Sequence, residues 1–225
     1  MATNPRGFYR AQAKVVLRNR MNREFGGNML EMSVVDNRRL PNMPADTVAI
    51  ISQDVYEIMR AIEFATHRDN AEVPFFLYGR VTGQTVVFDD IDADYSAGKS
   101  NLEAVFTERM RRRAMDFITD SPHDGTCIMA HGHTHPRIGV DYMNFSLGDM
   151  TSYAEMRYEN PVFKNKSIEL CSCLLVGGNY NFLFFDGNDY YKFNRVFVRS
   201  NDGKLTPLPC YGPDVAFTNN MGRGY

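Results

Sequence analysis

Apolar residues in the body of the chain follow two spacings in turn, one typical of strands and one typical of helices. From about residue 46, short apolar runs alternate with stretches in which apolar residues recur every three or four positions. This alternation predicts an α/β fold, a single mixed-sheet domain flanked by helices. The predicted strands are 48–51, 75–80, 84–90, 127–131, 169–176, 180–185 and 190–198.

Three helices are predicted between these strands. Ser52 is a suitable N-cap for the first helix, and a third helix begins near Ser146. The inward stripe of the first helix is predicted to be Val55, Ile58, Met59, Ile62 and Ala65. The inward positions of the second are predicted to be Leu102, Val105, Phe106, Met110, Ala114 and Phe117, with Arg109, Arg111 and Arg112 facing outward. Residues 89–94, which hold four aspartates, are predicted to form an acidic loop.

Charge is distributed unevenly along the chain and suggests three segments. The whole chain has 25 Lys and Arg, 27 Asp and Glu, and a formal charge of −2, whereas residues 1–40 contain eight Lys or Arg and only three acids. We interpret residues 1–45 as a basic N-terminal extension, 46–212 as the domain and 213–225 as a flexible tail. A near-neutral chain argues against nucleic acid as the main partner and leaves only the basic segment for such a contact.

Cysteine usage and hydropathy narrow the class of protein further. The four cysteines form no C-x-x-C pair, which argues against a cysteine-based zinc site or a disulfide framework. No apolar stretch approaches the roughly 20 residues that cross a bilayer. We therefore predict reduced thiols, a cytoplasmic location and no membrane partner.

Three of the five histidines fall within residues 131–135, which makes this segment the main candidate for chemistry. His133 and His135 are separated by one residue at the end of a predicted strand, so their side chains can bind one metal ion. Asp149 from the next helix could complete a His-His-Asp set, leaving a fourth position for water, as in catalytic zinc sites. His131 and His133 share the same spacing. Ser146-x-x-Asp149 is also the pattern of a simple helix capping box.

These motifs together resemble the signature of the JAMM metallopeptidases, also called the JAB or MPN domain family. The matching parts are H-x-H-P at residues 133–136, S-x-x-D at 146–149, and an upstream Glu72 on a strand expected to end at Gly79. The resemblance implies a JAB/MPN-like fold with cytidine-deaminase-like layering. Because the family pattern H-x-H-P ends at Pro136, the resemblance favours His133 and His135 as the ligands. His131 is then a strand residue or a residue that orients one of the ligands. The loop 137–145 is longer than in most family members.

The resemblance also implies a site and an activity. His133, His135 and Asp149 would bind one catalytic zinc ion, Glu72 would be the general base for a zinc-bound water, and Ser146 would stabilise the oxyanion. The implied function is hydrolysis of a peptide or isopeptide bond, at a ubiquitin-like or small-protein C-terminus. The implied partner is a protein or peptide substrate. Both a homo-oligomer and a hetero-oligomer are compatible with the resemblance.

Two other functions are compatible with the same residues. One is a non-catalytic MPN scaffold subunit, although the intact metal motif argues against it. The other is a zinc hydrolase that acts on a small molecule. A nucleobase deaminase is disfavoured, because the chain has no H-x-E followed by P-C-x-x-C.

Overall fold

The structure is a computed structural model that describes residues 40–95, 104–136 and 144–211. Its strands are β1 (Val48–Ser52), β2 (Pro74–Thr82), β3 (Thr85–Ala93), β4 (Cys127–Thr134), β5 (Glu169–Val176), β6 (Asn179–Phe185), β7 (Tyr190–Lys192), β8 (Val196–Arg199) and β9 (Leu205–Leu208). Its helices are α1 (Gln53–Asp69), α2 (Glu108–Asp120), α3 (Leu147–Glu159) and α4 (Pro161–Lys164). The predicted α/β class, with one mixed sheet, is confirmed.

The described strands form one sheet in the order β7-β6-β5-β4-β2-β3-β1-β8-β9. The pairs β1–β3, β1–β8 and β4–β5 are parallel and the other pairs are antiparallel. The sheet curls, so that the carbonyl of Pro209, just after β9, accepts a hydrogen bond from the N–H of Tyr180 in β6 at 2.8 Å. β4 lies in the interior of the sheet, where hydrogen bonds to β2 and β5 fix its backbone on both sides.

Helices cover both faces of the sheet, and successive residues of the inner strands contribute to two separate cores. Phe75 and Leu77 of β2 pack with α1, whereas Phe76 and Tyr78 pack with α2 and α3. This division follows from the alternation of side chains along a strand. Inner strands with apolar residues on both faces therefore read as continuous apolar runs in the sequence.

Helix α1 begins as predicted, because the Oγ of Ser52 accepts a hydrogen bond from the N–H of Val55 at 3.4 Å. The predicted apolar stripe is confirmed except at Ile58, which is 40% exposed. The buried face instead includes two polar residues, Glu63 and Thr66. Both find hydrogen-bond partners in other elements, which is what permits their burial.

The predicted acidic loop at 89–94 is wrong, because residues 89–93 belong to β3. The guanidinium of Arg109 in α2 donates to Asp92 at 2.7 Å, and that of Arg113 donates to Asp90 at 2.7 Å. These arginines offset the charge of the strand carboxylates. Arg109 is exposed, as expected, and an ion pair to Asp92 ties its guanidinium to the sheet.

Two element boundaries also differ from the prediction. Helix α2 begins at Glu108 rather than near Leu102, because the Oγ1 of Thr107 caps it. The strand predicted at 190–198 is two strands, β7 beside β6 and β8 beside β1. The chain passes directly from one to the other because the curl of the sheet brings β6 and its neighbours close to β8 and β9. Strand β9 was not predicted.

Part of the predicted N-terminal extension lies along β7. Leu40 is buried in the core, the carbonyl of Pro41 accepts from the N–H of Lys192 at 2.9 Å, and the N–H of Met43 donates back to Lys192 at 2.8 Å. Residues 1–39, the predicted tail 213–225, and 137–143 of the long loop lie outside the described residues. Among the helices of the described ranges, none combines the length and the apolar character needed to cross a membrane.

Candidate metal centre

The end of β4 brings two histidines to one side of the sheet. His133 pairs with Pro74 of β2 and Leu174 of β5, so its backbone is fixed by a neighbour on each side. His135 follows the strand, and its N–H donates to the carbonyl of Leu175 at 3.2 Å. Both side chains are buried, His133 with 4% of its surface exposed. Two imidazoles are thus held on one rigid element.

Three groups converge on a single point. The Nε2 atoms of His133 and His135 lie 3.1 Å apart, and the Nε2 of His133 lies 3.6 Å from the Oδ2 of Asp149. The three ligand atoms all lie within 4.8 Å of one another. A tetrahedral zinc ion with bonds of about 2.0–2.1 Å separates its ligands by about 3.3 Å. Two of the three spacings lie on either side of that value, so His133, His135 and Asp149 form a group that could hold a metal ion.

A capping box at the start of α3 orients the third of these groups. The Oγ of Ser146, the N-cap, accepts the N–H of Asp149 at 3.1 Å, and the Asp149 carboxylate accepts the N–H of Ser146 at 2.7 Å. The capping interpretation of S-x-x-D is therefore correct, and the same carboxylate also lies 3.6 Å from the Nε2 of His133. The bond from Ser146 holds the carboxylate at the helix terminus that faces His133.

The pKa values of these groups are shifted in opposite directions. Burial acts to raise the pKa of Asp149, but the neighbouring His133 and the hydrogen bonds from Ser146 outweigh it and hold that pKa well below its ordinary value. Burial acts against protonation of His133, but attraction to Asp149 and Glu72 outweighs it and raises the pKa. The carboxylate is therefore ionised and the site attracts positive charge.

Glu72 lies beside this group, in the segment between α1 and β2. Its side chain is buried, and its Oε1 is 3.9 Å from the Nε2 of His135. The expected strand ending at Gly79 is wrong, because β2 begins at Pro74 and continues to Thr82. Gly79 lies at a bulge in the pairing with β3, where a Cβ would come within 2.0 Å of the carbonyl oxygen of Val87. Close backbone approach requires this glycine.

His131 has a different environment from the other two histidines. Its ring stacks on Phe106 with centroids 4.3 Å apart and lies 5.8 Å from Phe76. Burial, together with the nearby His133, lowers its pKa to about 3, so the ring is neutral near pH 7. In the described part of the chain, the residues whose ligand atoms come together are His133, His135 and Asp149.

Sequence reasoning missed three residues that support the site. Phe145 is fully buried, and its ring meets that of His133 edge-on with centroids 6.3 Å apart. Thr134 and Thr66 join α1 to β4 through their hydroxyl groups. Strand alternation could have placed Thr134 opposite the two histidines. Nothing in the sequence could have paired it with a residue 68 positions away.

The two histidines outside residues 131–135 and two of the cysteines have structural roles. The Nδ1 of His67 lies 3.2 Å from the carbonyl oxygen of Pro136, and the Nε2 of His123 lies 2.7 Å from that of Ile118. Cys171 and Cys173 are fully buried, and burial raises the pKa of both thiols. The interpretation of these two cysteines as buried free thiols is confirmed.

No family model and no curated protein matches the chain. Among solved structures it is similar to the solution structure of protein DSY2949 from Desulfitobacterium hafniense, at 11% sequence identity and a TM-score of 0.37. The alignment covers 68% of this chain and 94% of that one. A likeness this distant supports no inference about activity.

Proposed function

We propose that the protein is a zinc-dependent metallopeptidase of the JAMM type. The observation that carries the proposal is the convergence of His133, His135 and Asp149, with the carboxylate of Glu72 3.9 Å from one of the imidazoles. Three protein ligands leave one tetrahedral position open, which is the pattern of catalytic rather than structural zinc sites. A second carboxylate beside that position is what proton transfer in hydrolysis requires.

The chain's own residues supply the rest of the chemistry. A zinc ion held by the two histidines and Asp149 would acidify water and polarise the substrate carbonyl. Glu72 accepts the proton from the attacking water as the new carbon–oxygen bond forms. It then returns the proton to the leaving nitrogen as the carbon–nitrogen bond breaks. The hydroxyl of Ser146, which accepts from the N–H of Asp149, keeps its own hydrogen to donate to the carbonyl oxygen under attack.

The substrate part of the proposal rests on the resemblance of the motifs. A peptide or isopeptide bond at a ubiquitin-like or small-protein C-terminus is the substrate proposed, and the protein acts on it in the cytoplasm. A non-catalytic scaffold and a small-molecule hydrolase are the outcomes that would replace this proposal. They differ in measurable ways, because a scaffold turns over no substrate and a small-molecule hydrolase cleaves no peptide.

The first experiment combines metal content with turnover. The purified protein should carry about one zinc per chain. It should also cleave members of a proteome-derived peptide library that includes lysine-branched, isopeptide-linked peptides, detected by mass spectrometry of the products. Glu72→Gln should retain the zinc and lose about 10²- to 10⁴-fold in rate, the usual contribution of a general base. Glu57→Gln, an exposed glutamate on α1, is the matched control and should keep full activity.

Two results would overturn the proposal. A protein that takes up no zinc has no catalytic metal centre. Full activity in Glu72→Gln would remove the general base. For the substrate, Glu72→Gln should retain bound partners from a lysate, and enrichment of a ubiquitin-like protein is expected. Enrichment of ordinary peptides alone would contradict the ubiquitin-like part.

A further inference from the structure

Thr134 stands between His133 and His135 in sequence, but its side chain lies on the opposite face of β4. It is fully buried, with its Oγ1 2.6 Å from the Oγ1 of Thr66 and 2.9 Å from the backbone nitrogen of Val73. A buried hydroxyl in an inner strand is costly to leave without partners. The contacts of Thr134 satisfy it as both donor and acceptor.

The direction of each hydrogen bond follows from the available hydrogens. The hydroxyl of Thr66 donates to the carbonyl of Ile62 at 2.9 Å, one turn earlier in α1. The oxygen of Thr66 therefore accepts from the hydroxyl of Thr134. The oxygen of Thr134 in turn accepts from the N–H of Val73. A short relay thus runs from α1 through β4 to the segment before β2.

The relay ends on the residue that precedes β2 and follows Glu72. The N–H of Val73 belongs to the peptide bond formed by the carbonyl of Glu72. The N–H of Thr134 also donates to the carbonyl of Val73 at 3.2 Å. Thr134 therefore holds the backbone of this segment by its side chain and by its main chain. In this way Thr134 adds to the β2–β4 pairing, in which Pro74 lies opposite His133, in fixing the histidines relative to Glu72.

We propose that Thr134 is a positioning residue, which holds Glu72 beside His135 through the amide of Val73. Thr66 orients the hydroxyl of Thr134 by accepting its hydrogen bond. The catalytic consequence rests on the proposed function, in which Glu72 is the general base. A base must lie within about 2.6–3.2 Å of the atom that carries its proton. A displacement of about 1 Å can cost a factor of about 100 in rate.

Thr134→Val tests the relay directly, since valine has the same shape without the hydroxyl. In the zinc-loaded protein, hydrogen exchange at the Val73 amide should become about tenfold faster, as expected for one lost hydrogen bond. Thr134→Ser should restore protection of that amide. Unchanged exchange in Thr134→Val, or a serine variant that behaves like valine, would overturn the proposal.

Turnover supplies the second readout. The substrate is the peptide that the wild-type protein cleaves fastest in the proteome-derived library. Thr134→Val should lower kcat roughly 10- to 100-fold, with KM nearly unchanged and zinc content retained, and Thr134→Ser should recover most of it. The matched control is Thr119→Val on α2, which removes an exposed hydroxyl bonded to Met115 at 2.8 Å. An equal loss in that control would contradict a positioning role.

The two readouts separate failure of this inference from failure of the proposed function. If the zinc-loaded wild type cleaves nothing, the proposed function fails, and exchange at Val73 still decides whether Thr134 holds the segment. If the wild type is active and Thr134→Val is equally active, only this inference fails.

Should Thr134→Val not fold, Thr66→Val replaces it. This variant is expected to speed hydrogen exchange at the Val73 amide about threefold, because the hydrogen bond from Val73 to Thr134 survives. No change there would also contradict the relay.

Discussion

Two groups of carboxylates, each with at least one buried member, have their negative charge balanced in different ways. In the arginine cluster, formed by Asp90, Asp92, Asp94, Arg109 and Arg113, the chain supplies the positive charge. Asp92 and Asp90 each accept a guanidinium at 2.7 Å, and Asp94 lies 3.6 Å from Arg109. Each of these three carboxylates therefore has a guanidinium within ion-pair distance, and this cluster joins α2 to the sheet.

The metal cluster, formed by Glu72, His133, His135 and Asp149, uses imidazoles instead of guanidinium groups. Its carboxylates lie 3.6 and 3.9 Å from imidazole nitrogens, which are charged only when protonated. Asp149 is ionised, and either a protonated His133 or a bound cation would balance its charge. The two clusters therefore differ in what lies next to the carboxylates, which is fixed guanidinium groups in one and imidazoles that converge on one point in the other.

The largest expected effect is loss of metal-dependent stability in His133→Ala. A ligand that binds only the folded state at about 1,000 times its Kd stabilises a protein by about 4 kcal/mol. Zinc should raise the free energy of unfolding of the wild type by this order, measured by urea denaturation with zinc and with a chelator. The variant should show no difference between the two conditions. Equal stabilisation of His133→Ala by zinc would place the ion elsewhere.

A smaller effect is expected from Asp92→Asn in the arginine cluster. Asp92 is 3% exposed, whereas Arg109 is 56% exposed and can return to water when its partner is lost. We expect the free energy of unfolding to fall by about 1–3 kcal/mol, with the zinc-dependent increment unchanged. Asp89→Asn, which breaks the exposed pair with Arg80, is the control and should cost about 0–1 kcal/mol. A loss of zinc binding in Asp92→Asn would mean that the arginine cluster and the metal cluster are coupled, which contradicts their description as independent groups.

The sequence predicted the metal cluster better than the arginine cluster. His133 and His135 lie two residues apart at the end of a strand, and Ser146 and Asp149 lie three apart at a helix start, so local geometry brings each pair together. The arginine cluster depends on the pairing of β3 with β2 and on the packing of α2 against both. A run of aspartates has low strand propensity, which favoured a loop in the prediction.

The same distinction applies to the fold. Helix α1 could be predicted from the cap at Ser52 and its apolar period, which are local features. The division of 190–198 into β7 and β8 could not, because it follows from the curl of the whole sheet. The burial of Thr66 could not be predicted from the sequence either, since its hydrogen-bond partner Thr134 is 68 residues away. Local spacing therefore predicts elements and ligand pairs, and long-range packing decides how they are supported.

The smallest effect concerns two serine N-caps, Ser146 and Ser52, that hold different residues. Ser146 accepts the N–H of Asp149 at 3.1 Å, and Ser52 accepts that of Val55 at 3.4 Å. Replacing either with alanine should lower the free energy of unfolding by about 1 kcal/mol, the usual loss for an N-cap. Urea denaturation without zinc measures this shared cost.

Zinc affinity should separate the two variants. Only Ser146 holds a residue of the metal cluster, and loss of a group that orients a ligand weakens metal binding by about 10- to 100-fold. We expect about tenfold weaker zinc binding in Ser146→Ala, at the low end of that range, because the backbone N–H of Ser146 still binds the Asp149 carboxylate. Ser52→Ala should bind zinc as the wild type does, measured by competition with a fluorescent chelator. If both variants bind zinc equally well, the capping box stabilises α3 without holding Asp149 for the metal.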